Sequence, residues 1–218
     1  MTKKEIEAII NLLLVEGISS IPREHLTEEV LTHPSKTIGN QTILHFAATK
    51  GFLNKLPSNF LVGKYLKIPI AATGRGFGYP PLSVRVGWTA LHSLAWNGTL
   101  HHVSSKELTT ENITIADSGK WTPLHCAAWR GHLNQLPRAS ITTEALLIPD
   151  TSGLTPLRHA IECRHTDQLL GIEAGDEILP LLGEDWHKRN LEVLHEIKQA
   201  EMEHYSLPQI AQTIDIEI

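Results

Sequence analysis

The chain has 218 residues, of which 41% are hydrophobic and 20% are charged, a composition typical of folded globular proteins and not of disordered ones. Its formal net charge is -5, with acidic and basic residues mixed along the sequence, which excludes a basic surface for nucleic acid and a polybasic membrane patch. No apolar run approaches the roughly 18 residues of a membrane span. The two cysteines form neither a metal motif nor a disulfide framework, so we expect a cytoplasmic protein.

The N-terminal region begins like a signal peptide and then departs from that pattern. Lys3 and Lys4 precede an apolar stretch, but Glu5 and Glu7 interrupt it. The apolar residues that remain recur at helical spacing on one face: Ile6, Ile9, Ile10, Leu13 and Leu14. This spacing predicts a surface helix that packs on a core, within an N-terminal cap of residues 1–37.

A short motif recurs along the middle of the chain. Its four copies start at Thr42, Thr89, Thr122 and Thr155. The last two intervals are 33 residues each and the first is 47, so the first copy contains an insertion. Three copies continue to a glycine nine residues after the threonine: Gly51, Gly98 and Gly131. Periodicity of this kind is the sequence signature of repeat architectures.

The residues of each copy favour a short helix. A threonine before a helix can cap free backbone N–H groups, and the proline that follows Thr122 and Thr155 has a φ suited to the first turn. Ala127 and Ala128 are small enough for neighbouring helices to approach closely, and the glycine permits a left-handed helix end. The sequence therefore predicts a helix that starts at each threonine and stops at the position of the glycine.

A second apolar segment follows the glycine. It spans residues 52–57 in one copy and 132–137 in another, and Pro57 and Pro137 stop it early. One further helical turn, started by threonine and closed by apolar residues, is predicted in three places: residues 26–31, 108–113 and 141–146. A turn such as residues 150–153 then leads into the next copy.

The Thr-Pro-Leu-His tetrapeptide at residues 122–125, the Ala-Ala and Gly-His pairs after it and the 33-residue period together resemble ankyrin repeats. Arg158 stands where that pattern usually has histidine, and the shortened second helix resembles ankyrin arrays of bacterial type. The resemblance implies an all-α helical repeat solenoid over residues 1–184, followed by a C-terminal capping helix and tail over 185–218. It places the repeats near residues 38–86, 87–119, 120–152 and 153–184.

The resemblance also implies where a partner binds. In ankyrin repeats the residue before each motif threonine, and those seven and eight places after it, lie on the exposed concave side. Four of the five tryptophans occupy such positions in two adjacent copies: Trp88, Trp96, Trp121 and Trp129. Lys50 and Arg130 stand beside them and can make cation–π contacts or pair with a partner's carboxylate. The alternative is that the rings pack only on one another and stiffen the stack.

The insertion at residues 70–84 is rich in Gly and Pro, which predicts a projecting loop. Its candidate contact residues are Arg75, Phe77 and Tyr79. The glycines around Arg75 suggest a phosphate cradle, but such cradles need a preceding strand and a following helix N-terminus, and neither is predicted here. The loop therefore either extends the binding surface or is only a tolerated insertion.

The sequence does not favour catalysis, a metal or a cofactor. His45, His92 and His125 belong to the motif, where the resemblance implies hydrogen bonds within and between turns. The other histidines lack the ligand spacing of zinc sites, no GxSxG nucleophile motif is present, and Cys126 is predicted to lie in the core. We predict a monomeric, non-catalytic protein–protein interaction module that uses the aromatic surface. The alternative is a receptor whose tryptophans form a cage for a small ligand or peptide.

Overall fold

A computed structural model describes residues 1–70, 86–165 and 168. Within these ranges the chain is helical and contains no β-strand. The predicted all-α class is therefore confirmed for this part of the protein. None of the helices in it is long and apolar enough to span a membrane. The predicted C-terminal capping helix and tail, residues 185–218, lie outside the described residues.

Longer and shorter helices alternate along the chain. The longer helices are α1 (Lys3–Glu16), α3 (Ile43–Lys50), α5 (Ala90–Asn97), α7 (Pro123–Arg130) and α9 (Pro156–Glu162). The shorter helices are α2 (Glu28–Thr32), α4 (Gly63–Leu66), α6 (Thr110–Ile113) and α8 (Thr143–Leu146). Helices α1, α3, α5 and α7 are each followed by two 3-10 turns: Ile18–Ser20 and Arg23–His25, Leu53–Lys55 and Ser58–Phe60, Leu100–His102 and Ser105–Glu107, and Leu133–Gln135 and Arg138–Ser140.

Helices α3, α5, α7 and α9, the Thr-capped helices, begin where the sequence predicts. Their N-cap residues are Thr42, Thr89, Thr122 and Thr155. In α7, Thr122 Oγ1 accepts the backbone N–H of His125 at 3.2 Å, and His125 Nδ1 accepts the N–H of Thr122 at 3.2 Å. Helices α3, α5 and α7 end at Gly51, Gly98 and Gly131, whose φ values of 77°, 68° and 73° are left-handed. The predicted helix starts and these three helix ends are confirmed.

The Thr-capped helices pack on one another in chain order, α3 on α5, α5 on α7 and α7 on α9. Fully buried small side chains, including Ala48, Ala95 and Ala128, let the helices approach closely. The buried apolar residues form one continuous cluster that runs from Ile6 in α1 to Ile161 in α9. Cys126 belongs to this cluster, as predicted.

The motif histidines connect each Thr-capped helix to the turn before the next one. The Nε2–H groups of His45, His92 and His125 donate to the carbonyl oxygens of Trp88, Trp121 and Leu154 at 3.2, 3.1 and 3.3 Å. Burial lowers the pKa of His45 and of His125 to about 4. Hydrogen bonds within and between turns are therefore confirmed for these histidines.

The shorter helices follow the predicted pattern. Thr27, Thr109 and Thr142 cap α2, α6 and α8, and the Oγ1 of each accepts a backbone N–H group three residues later. Pro57 and Pro137 follow the first 3-10 turn of their segments, and the equivalent turn Leu100–His102 is equally short although Ser104 stands at the position of the proline. The three predicted helical turns and the early stop at both prolines are confirmed.

Helix α1 covers the first end of the core. Thr2 caps it, and Ile6, Ile10 and Leu13 are buried. Leu14 is 41% exposed, so its predicted place on the buried face is wrong. One residue turns an α-helix by about 100°, which carries Leu14 away from the core side that Leu13 occupies.

Candidate aromatic binding surface

Trp121 is the central ring of the candidate site. It lies directly before Thr122, in a turn fixed by Asp117, whose Oδ1 accepts the N–H groups of Gly119 at 2.7 Å and of Trp121 at 2.9 Å. Its indole Nε1–H donates to Asp150 Oδ2 at 2.9 Å, and only 8% of the residue is exposed. The prediction that this ring faces solvent is wrong, because a buried carboxylate from the following turn takes the indole N–H and holds the ring inside.

Trp96 and Trp129 pack against Trp121. Their ring centroids lie 6.3 and 5.9 Å from that of Trp121, with the planes tilted by 48° and 52°. Trp96 is half-buried, whereas Trp129 is 38% exposed. The structure therefore brings three of the four predicted tryptophans together, with Trp129 reaching solvent.

Arg130 lies over the face of Trp96. Its Cζ is 5.2 Å from the Trp96 ring centroid, and its Nε–H donates to the Trp96 carbonyl oxygen at 3.4 Å. This distance is within the range of cation–π interactions, which are worth about 0.5–1 kcal/mol at exposed sites. Trp96, Trp121, Trp129 and Arg130 form a contiguous group, here called the aromatic patch.

Trp88 and Lys50 have other neighbours. The half-buried Trp88 ring stacks on His92 with centroids 4.8 Å apart, and its Nε1–H donates to Ser93 Oγ at 2.9 Å. The exposed Lys50 places its Nζ 5.9 Å from the Phe46 ring centroid, within cation–π range. Trp88 thus rests on side chains of α5, the helix that it precedes, and Lys50 rests on a side chain of α3, its own helix.

His159 is a component of the site that the sequence analysis missed. Its ring centroid lies 5.1 Å from that of Trp121 and 5.0 Å from that of Trp129. The residue is fully buried, and neither ring nitrogen makes a hydrogen bond with the described residues. The available signal was its position four residues after Thr155, which corresponds to the buried Cys126 of the preceding copy.

Asp150 supplies the charge beneath the aromatic patch. Its Oδ1 accepts the backbone N–H groups of Ser152 at 2.7 Å and Leu154 at 3.0 Å, while Oδ2 accepts the Trp121 indole. His159 Nε2 lies 3.7 Å from the same Oδ2. Burial lowers the pKa of His159, and the neighbouring Asp150 carboxylate opposes that shift. Both oxygens of the Asp150 carboxylate therefore accept hydrogen bonds from N–H groups of the chain.

Three predicted contact residues, Arg75, Phe77 and Tyr79, lie outside the described residues. Among the residues that are described, no group of three or more His, Cys, Asp or Glu side chains is placed to hold a metal ion. Cys126 is buried and Cys163 is half-buried. Burial raises the pKa of the Cys163 thiol, which disfavours its reactive thiolate form.

A scan against family models and a search of curated proteins both find no match to this chain. The resemblance to ankyrin repeats is therefore based on the recurring motif itself.

Proposed function

We propose that the chain is an ankyrin-type repeat stack whose unit is one Thr-capped helix, two 3-10 turns and one shorter helix. Three observations support this architecture. The last three motif threonines are spaced by 33 residues, the helices they cap pack in chain order, and motif histidines bond each helix to the following turn. Stacked units of this kind bury a continuous core that a single unit cannot form alone.

The stack acts as a non-catalytic protein–protein interaction module that holds its partner on the aromatic patch. The observation that carries this proposal is the 38% exposure of Trp129, which packs on other aromatic rings and lies beside Arg130. Tryptophan and arginine are the residues most enriched at binding hot spots, where truncation typically costs about 2–4 kcal/mol. Because the neighbouring rings already hold Trp129, little side-chain entropy remains to be lost on binding.

A receptor with a tryptophan cage is the second candidate, and the geometry favours it less. A cage leaves a gap between ring faces that a cation or small ligand fills. Here Trp121 contacts both Trp96 and Trp129, and its N–H is bonded to Asp150. The rings thus fill each other's spaces and offer an outer surface, which suits the flat face of a protein partner.

The test compares Trp129→Ala with Val15→Ala. Val15 is 83% exposed on α1, away from the aromatic patch, so it controls for loss of any exposed apolar side chain. Each purified variant is immobilised, exposed to an extract of the native cell, and the bound proteins are quantified by mass spectrometry. We expect a defined set of proteins that wild type and Val15→Ala retain and Trp129→Ala loses. Equal retention by all three proteins would contradict the assignment, provided circular dichroism shows that each is folded.

A further inference from the structure

We infer that the partner segment on the aromatic patch presents an aspartate or glutamate carboxylate to Arg130, next to an apolar side chain that covers Trp129. This inference rests on the proposed interaction function and specifies the chemistry of the partner.

The guanidinium of Arg130 is held through its Nε–H group, and its two terminal amino groups remain available to a partner. Its Cζ lies 5.2 Å from the Trp96 ring centroid, and its Nε–H donates to the Trp96 carbonyl oxygen. The residue is exposed, and none of the described residues accepts a hydrogen bond from its two terminal amino groups. Two parallel N–H donors in a planar fork match the two oxygens of a carboxylate. Arg130 is therefore a preformed carboxylate receptor.

The carboxylates near the patch are engaged elsewhere. Asp150 accepts the Trp121 indole N–H and two backbone N–H groups. Glu162, seven residues after Thr155 as Trp129 is after Thr122, accepts the Nε–H of Arg158 at 2.8 Å. Within the described part of the chain, no carboxylate forms an ion pair with Arg130. Charge complementarity at this point is therefore left to the partner.

The spacing of cations favours a peptide carboxylate over a nucleic acid backbone. Lys50, Asn97 and Arg130 occupy the same position of three successive motif copies. Asn97 is neutral and donates its amide N–H groups to the carbonyl oxygens of Ala48 and Thr49, so it separates the two cations. Nucleic acid affinity grows with the number of phosphates that cations neutralise together, and this row offers no contiguous set.

The apolar part of the inference comes from the neighbour of Arg130 in the sequence. Trp129 directly precedes Arg130 in the last turn of α7 and is the exposed ring of the patch. A partner side chain that covers this ring removes apolar area from water and also excludes water from the adjacent ion pair, which strengthens it. A partner segment with a carboxylate next to an apolar side chain can therefore pair with Arg130 and cover Trp129 at the same time.

The experiment selects binders from a display library of random peptides fused through their C-termini, so that a free terminal carboxylate is absent. Selection is run on wild type, Arg130→Glu, Trp129→Ala and Lys106→Glu. Lys106 is exposed in a 3-10 turn between α5 and α6, and its reversal matches the charge change of Arg130→Glu. Selected sequences are then synthesised, and their affinities are measured by fluorescence polarisation at low and high salt.

We expect wild type and Lys106→Glu to enrich the same peptides, with Asp or Glu close to an aliphatic or aromatic residue. Arg130→Glu should weaken their binding by about tenfold or more, and added salt should weaken wild-type binding. Enriched peptides that depend on Trp129 but show no acidic preference would overturn this inference and leave the interaction function standing. Absence of any Trp129-dependent peptide would overturn the inference and also count against the proposed function.

Discussion

Acid should destabilise this protein through its motif histidines. His45 and His125 are buried, and their Nδ1 atoms accept the N–H groups of Thr42 and Thr122 while Nε2–H donates to the next turn. Both nitrogens are thus used in the neutral form, and burial disfavours the charged ring that a second proton would create. The pKa of each ring is about 4 when folded, below the ordinary value of 6.5.

The sign and size of the effect follow from this difference. Because the folded-state pKa is lowered, the stabilising contribution is fully present above about pH 6.5 and is lost as the pH falls toward 4. The complete loss corresponds to about 3 kcal/mol per histidine. At about pH 5 the loss is about 2 kcal/mol each, hence about 4 kcal/mol for the pair, against the 5–15 kcal/mol that stabilises typical domains.

Urea unfolding followed by circular dichroism at about pH 7.5 and about pH 5 measures this loss. The control is the double variant His45→Gln and His125→Gln, which keeps polar side chains at both positions but cannot titrate. We expect it to be less stable than wild type at the higher pH and to lose less stability on acidification. If wild type and the double variant lose equal free energies of unfolding, the histidines are not the source and the reasoning is refuted.

Two further predictions concern the helix ends and the base of the patch. Gly98→Ala should cost more stability than Gly51→Ala, although both glycines have φ near +70°, because a methyl group at 98 would lie 2.6 Å from His132 Nε2 and one at 51 meets open space. We expect about 1 kcal/mol for Gly51→Ala and about 1–2 kcal/mol more for Gly98→Ala, and equal midpoints in thermal unfolding would contradict the packing argument. Trp121→Phe and Asp150→Asn should be coupled by about 1.5–3 kcal/mol in a double-mutant cycle, since each removes the same charge-assisted hydrogen bond; additive effects would show that this bond contributes nothing.

The sequence predicts helix starts and ends well because those depend on neighbouring residues alone. Thr122 caps helix α7, Pro123 begins its first turn, and Gly131 ends it in the left-handed conformation. Leu14 shows the limit of this reasoning. The spacing of apolar residues predicts which face of α1 is buried, but how far the buried face extends depends on where the next element packs. Neighbouring residues also predict the single helical turn α6, which Thr109 caps.

The details of the site depend on residues of the next motif copy, which is why the sequence analysis missed them. Trp88 and Trp121 occupy equivalent positions, yet their indole N–H groups have different acceptors. Four residues after the motif threonine, one copy has Ser93, a hydroxyl that accepts from Trp88, and the next has Cys126, whose thiol is a weaker acceptor. The Trp121 N–H is bonded instead to Asp150, and the ring is buried with it.

The burial of Trp121 changes its role without removing it from the site. Its bond to Asp150 fixes the ring on which Trp129 packs, so Trp121 positions the residue that we propose as the partner's contact. A residue that is held before binding loses less conformational entropy on binding, so a buried neighbour can raise affinity without touching the partner. Trp129→Phe should therefore reduce binding with a smaller loss of stability than Trp121→Phe, because Trp121→Phe also removes the buried hydrogen bond to Asp150. That difference separates the contact residue of the aromatic patch from the one that supports it.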